Sequence, residues 1–147
     1  MFNDFQNLLF LLLTAGKICV NLQVMIDNRT EKRKTGDRGE AIAAAHLEAK
    51  GYRVIARNFR CKAGEIDIIA RHGDVLCFAE VKTRRPGRFG RPCEAVDWKK
   101  QRRLISTAQL FMKLNPQLRG LSLRMDVIEV ELLDGADKVT HLVNAFS

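Results

Sequence analysis

Gly64–Arg84 reads GEIDIIARHGDVLCFAEVKTR, and the folding of this stretch organises the rest of the chain. Glu65 to Ala70 alternates acids with isoleucines, Val75 to Thr83 is an apolar run ending in Glu-Val-Lys, and Arg71 to Asp74 supplies turn material between them. The pattern predicts a hairpin. Successive side chains of a strand point to opposite faces, which places Glu65 and Asp67 on one face and Ile66 and Ile68 on the other. Glu80 and Lys82 likewise share a face, with Val81 turned away. Antiparallel pairing in register then gathers Asp67, Glu80 and Lys82 at one end of a small sheet.

Two carboxylates held together repel, and one pKa is forced upward unless a cation joins them. Mg2+ (or Mn2+) suits such a pair, because a hard ion takes one or two carboxylates and completes its shell with water and substrate phosphate. The matching chemistry is phosphodiester hydrolysis, in which the ion neutralises phosphate charge and acidifies a water that Lys82 orients or deprotonates. A lone Glu-x-Lys on a strand is most often a solvated surface pair that contributes little. The acid at the right phase on the preceding strand argues against that plainer reading.

The chain has 147 residues, 46% hydrophobic and 29% charged, enough for one ordinary core. A formal net charge of +8 favours a polyanionic partner, nucleic acid first and an anionic membrane surface second. Cys19, Cys61, Cys77 and Cys93 form no C-x-x-C, and His46, His72 and His141 form no zinc spacing. Free thiols suit a reducing cytoplasm, so a cytoplasmic location is expected. Residues 1–34 read as an N-terminal extension. The apolar block Leu8 to Leu13 is too short for a span, which needs ~20 apolar residues. Asp4 in place of a basic start argues against a signal peptide. A helix packed on the domain, a weak interfacial anchor, or a lead-in upstream of a true start at Met25 remain open.

The domain is expected over 35–147. Thr35 or Asp37 is predicted to cap a helix to about Lys50, with Ile42, Ala45 and Ala49 on one face and Gly51 ending it. Glu40 lies in its first turn, where an acid also complements the helix dipole. Tyr52 to Phe59 alternates as a strand before the hairpin. After Lys82 the run from Thr83 to Arg91 forms an arginine-rich loop, and Pro92 is predicted to start a helix to about Leu114 with Leu104, Ala108 and Phe111 inward. Arg84, Arg85, Arg88, Lys99 and Arg103 flank the carboxylates as candidate phosphate contacts, with Phe89 and Trp98 available to stack on bases. Asn115, Pro116 and Gly120 precede a strand from about Leu121 to Leu132, in which Arg124 and Asp126 read as a structural ion pair. Val139 to Val143 reads as a last edge strand. The order α-β-β-β-α-β with a trailing strand implies an α/β domain, a mixed central sheet flanked by helices.

An Asp on one strand and Glu-x-Lys on the next resembles the PD-(D/E)xK, restriction-endonuclease-like nuclease superfamily. GDRGEAIAAAHLEAKGY, RNFR, GEIDIIA, FAEVKTR, FGRP and RMDVI together resemble the YraN-like family of small bacterial proteins, over about Thr35 to the C-terminus. The resemblance implies Asp67 as central metal ligand, Glu80 as second ligand and Lys82 as the lysine acting on water. Glu40 matches a helix acid that some relatives add to the metal site, and Glu65 is placed in the outer shell. The implied activity is a Mg2+-dependent endonuclease acting on structured DNA in repair or recombination. The alternatives are a nucleic-acid-binding module that does not cleave and an interaction protein using the N-terminal segment. No small-molecule cofactor and no membrane contact are expected, and a homodimer is among the admissible assemblies.

Overall fold

In the computed structural model, which describes residues 30–86 and 96–147, the predicted hairpin is the middle of a five-stranded sheet. By compactness the chain divides into two units, Met1–Thr35 and Gly36–Ser147. In the first, residues 30–35 are helical, and the Thr35 hydroxyl donates to the Glu31 carbonyl at 2.9 Å. Neither Thr35 nor Asp37 is therefore a cap: both are helical, and the Thr35 hydroxyl is spent on the turn before it.

The second unit runs α1 (36–49), β1 (Arg53–Cys61), β2 (Gly64–His72), β3 (Val75–Arg84), α2 (Trp98–Leu114), a short 3-10 turn (Pro116–Leu118), β4 (Ser122–Glu131) and β5 (Lys138–Phe146). Spatial strand order equals chain order, with β3 and β4 parallel and every other pair antiparallel. The parallel pair needs a crossover, and α2 supplies it. Gly51 ends α1 as predicted: its φ of +83° is the left-handed conformation that glycine adopts without strain. Asp97 caps α2 by accepting from the Lys100 backbone N–H at 2.9 Å, so the helix starts at Trp98; Pro92, the predicted start, lies outside the described residues.

Each face of the sheet carries its own core. Ile66, Ile69, Leu76, Phe78, Met125 and Val127 pack with Leu104, Ala108 and Phe111 of α2. On the other face Ile68, Ala70, Cys77, Ala79, Ile128 and Val130 pack with Ala43, Ala44 and Leu47 of α1. The predicted inward face of α1 holds only in part: Ile42 packs against this core, while Ala45 and Ala49 are exposed. In a run of alanines the residues themselves do not mark which stripe faces inward, and only Leu47 distinguishes it.

Besides a register shift between Val54 and Ala56 of β1, irregularities at Asp67 and on β5 shape the sheet. Ile66 and Ile68, predicted to share a face, lie in opposite cores, so the alternation of β2 breaks at Asp67. The β2–β3 ladder stops there too, running only from His72↔Val75 to Ile68↔Ala79. On the other flank Asn58 of β1, between the pairs Arg57↔Ile68 and Phe59↔Ile66, has φ +52°. Losing one neighbour and facing a left-handed residue on the other, β2 is free to twist at Asp67. A wide bulge on β5 lies between the pairs Val127↔Leu142 and Met125↔Phe146, with Asn144 at φ +53°.

Candidate active site

Where β2 and β3 part, the Val81 backbone N–H has lost its ladder partner and donates instead to Asp67 Oδ2 at 2.7 Å. The carboxylate thus sits in the fork between the strands. Burial pushes its pKa up, the nearby Glu80 and Glu40 charges push it further, and the Val81 bond and Lys100 pull it back, leaving it at about 7. Glu80 points to the α2 side of the sheet and is only 3% exposed. Its Oε1 is shared by two ammonium groups: Lys82 Nζ at 3.0 Å and Lys100 Nζ from the first turn of α2. Its Oε2 is buried without a hydrogen-bond partner.

Glu40 reaches this neighbourhood because α1 is pressed onto the end of β3. A methyl group added at Gly39 would lie 1.8 Å from Thr83 Oγ1 and 2.8 Å from Thr83 Cβ, so only glycine permits this approach. The next residue is then delivered within electrostatic range of Asp67.

The strand pattern gathered Asp67, Glu80 and Lys82, and the resemblance added Glu40; the structure brings all four into one neighbourhood. Glu65 is elsewhere, exposed and paired with Arg60 at 3.2 Å. Arg84 belongs to β3 rather than to a loop and pairs with Glu129 at 2.6 Å; its backbone continues the ladder with β4 instead of turning away. Arg85 follows the strand end, Lys99 and Arg103 are exposed on α2, and Trp98 is 60% exposed with Lys99 Nζ 5.7 Å from its ring. Arg88 and Phe89 lie outside the described residues. Lys100 was not among the residues singled out from the sequence. Asp97, read as an N-cap, would have placed Lys100 in the first turn of the helix.

The residues fit a hard divalent cation in donor chemistry: an unpartnered buried Glu80 Oε2 and an Asp67 whose charge is disfavoured without a counterion. They do not yet form a tight cage. Among the described residues only Cys77, Asp126 and His141 bring three ligand-type atoms within 4.8 Å of one another.

The sequence profile of the uncharacterised protein family UPF0102 matches residues 39–130. The chain belongs to this family. The UPF0102 protein of Symbiobacterium thermophilum is 49% identical over 116 residues, 78% of this chain and 97% of that protein. That of Geobacter sulfurreducens is 47% identical over 112 residues, covering 76% and 87%. That of Caldanaerobacter subterraneus subsp. tengcongensis is 41% identical over 121 residues, covering 80% and 98%. The matched UPF0102 span contains the whole carboxylate fork, Glu40, Asp67, Glu80, Lys82 and Lys100.

The same UPF0102 span holds a second buried carboxylate, Asp126, on the α1 side of the sheet. Its Oδ1 accepts from Arg124 Nε and the Asn144 N–H, both at 2.9 Å. Its Oδ2 accepts from His141 Nε2 at 2.7 Å, an Arg124 terminal nitrogen at 2.8 Å and Cys77 Sγ at 3.0 Å. Burial alone would raise its pKa, but these donors hold it far below the usual carboxylate range. Burial and the Asp126 charge push the Cys77 thiol strongly upward, so it is a donor here and not a thiolate. Arg124 also donates to the Tyr52 hydroxyl at 2.7 Å, tying β4 to the start of β1. The predicted ion pair is thus the centre of a structural network.

Proposed function

We propose that this protein is a metal-dependent endonuclease that hydrolyses phosphodiester bonds of structured DNA in the cytoplasm. The observation that carries the reading is the unresolved electrostatics of the fork: Glu80 is buried with Asp67 half-buried beside it, one Glu80 oxygen lacks a partner, and a lysine stands next to them. Burial without satisfaction costs stability and needs a functional return. The resemblance to PD-(D/E)xK nucleases assigns the same residues.

Asp67 and Glu80 would hold Mg2+ or Mn2+, with Glu40 adding charge from α1. The ion would neutralise the phosphate and lower the pKa of a water. Lys82 would orient the attacking water toward phosphorus. The water would release a proton to solvent as its oxygen forms the new P–O bond, the opposite ester P–O bond would break, and the departing oxygen would take up a proton from solvent. Lys99, Arg103 and Arg85 approach the DNA backbone, and Trp98 offers a face to an unpaired base.

The two ammonium groups already on Glu80 Oε1 favour one alternative, a nucleic-acid-binding module whose acids are permanently neutralised. Purified protein incubated with Mg2+ or Mn2+ and linear, flapped or four-way-junction DNA decides between them. Cleavage by wild type and not by Asp67→Asn supports the nuclease. Binding without cleavage in both supports the module, and equal cleavage by both points to a contaminating enzyme.

A further inference from the structure

Lys100 is placed against the usual preference of a helix. It lies in the first turn of α2, which contains no acidic residue, and a cation there opposes the partial positive charge of the helix N-terminus. What holds it is Glu80, whose Oε1 it contacts together with Lys82. One carboxylate oxygen does not need two ammonium groups while its sister oxygen has none. The two lysines also differ in freedom. Lys82, 28% exposed, rises from the same strand and face two residues from Glu80, so its stem stays anchored beside the carboxylate. Lys100, 35% exposed, reaches across from another element and can turn outward along its own helix without moving backbone.

Resting on the metal-dependent nuclease reading, we propose that Lys100 is an exchangeable counter-charge: it holds Glu80 while the fork lacks a cation, then releases it and turns to a non-bridging oxygen of the substrate phosphate. Three positive groups around one carboxylate repel, so the most mobile is displaced when a divalent ion occupies Asp67 and Glu80. Lys100 shares the start of α2 with the exposed Lys99 and Arg103, the side proposed to meet the DNA backbone. Lys82 stays with the water.

The test is Mn2+ binding to the full-length, metal-freed protein by isothermal titration calorimetry at pH 8.5, alongside cleavage at saturating Mn2+. Lys100→Met removes a charge that competes with the ion, so Mn2+ should bind about three- to tenfold more tightly, while saturated cleavage falls about 100-fold for loss of a phosphate contact. Lys100→Arg keeps the charge and should bind Mn2+ within about twofold of wild type. Should Lys100→Met fold poorly by circular dichroism, Lys100→Gln serves with the same expectation. Mn2+ affinity that is lost in Asp67→Asn yet unchanged or weakened in Lys100→Met and Lys100→Gln overturns the exchange and leaves the nuclease reading standing. A wild type that binds no Mn2+ overturns both.

Discussion

Two buried carboxylate centres stand on one sheet, and they are built in opposite ways. On the α1 side Asp126 has every oxygen position filled by donors from β3, β4 and β5, and its pKa is pulled down. In the fork, burial and like charges hold Asp67 up at about 7, and Glu80 keeps an orphaned oxygen. Residue type and burial are therefore poor guides to role. What separates a structural acid from a reactive one is whether its surroundings have already satisfied it.

The contrast breaks most sharply on activity. Asp67→Asn should lower cleavage by about 1,000-fold while DNA binding holds or improves, because a charge facing phosphate has gone. Gel-shift and cleavage assays on one preparation measure both. Undiminished cleavage would mean that the fork is not the active site.

On stability the order reverses. Asp126→Ala strands Arg124 and His141 around an empty centre and should cost about 3–5 kcal/mol, read from urea unfolding. Asp67→Asn should be neutral or stabilising in the same measurement. A small loss at Asp126 would show that the network rearranges around the gap.

The pH dependence sharpens the difference. With a folded pKa of about 7 against 3.8 in the unfolded chain, Asp67 keeps a proton on folding, so metal-free stability should fall as pH rises through that window. Asp67→Asn should remove that part of the slope and gain up to about 4 kcal/mol over wild type above pH 7. Thermal unfolding in EDTA from pH 4 to pH 8 follows it. Equal slopes for the two proteins would show that Asp67 is charged and satisfied after all.

The smallest effect locates the DNA. Reversing Lys99 and Arg103 on α2 should lower the log-log salt slope of duplex binding by about 1.8, at about 0.9 per contact. Reversing Lys50, exposed at the end of α1, should leave it unchanged. Equal effects would mean that attraction comes from overall charge and not from the α2 side.

The strand pattern, the hairpin and the shared face of Glu80 and Lys82 were legible because period-two alternation fixes which residues share a face. The reading failed where chain-local rules give way to neighbours. Nothing in GEIDII announces that β2 turns over at Asp67, since that depends on where pairing with β3 stops and on Asn58 across the sheet. Alanine-rich α1 concealed part of its inward face for lack of side-chain contrast. Lys100 was hidden by the helix start, which Asp97 sets and a search for proline misplaced. The Asp126 network includes a bond between residues 72 positions apart, Tyr52 and Arg124, and no spacing motif encodes that.

The bulge on β5 has a consequence for how the molecule avoids its own copies. β5 is the last strand of the sheet, and a straight outer strand offers a row of free backbone groups on which another chain can build. Asn144 breaks that row: its left-handed backbone bends the strand, and its N–H is turned inward to Asp126. The acid that organises the interior therefore also spoils the rim as a template for intermolecular strand addition, and losing it would expose the protein to aggregation as well as unfolding.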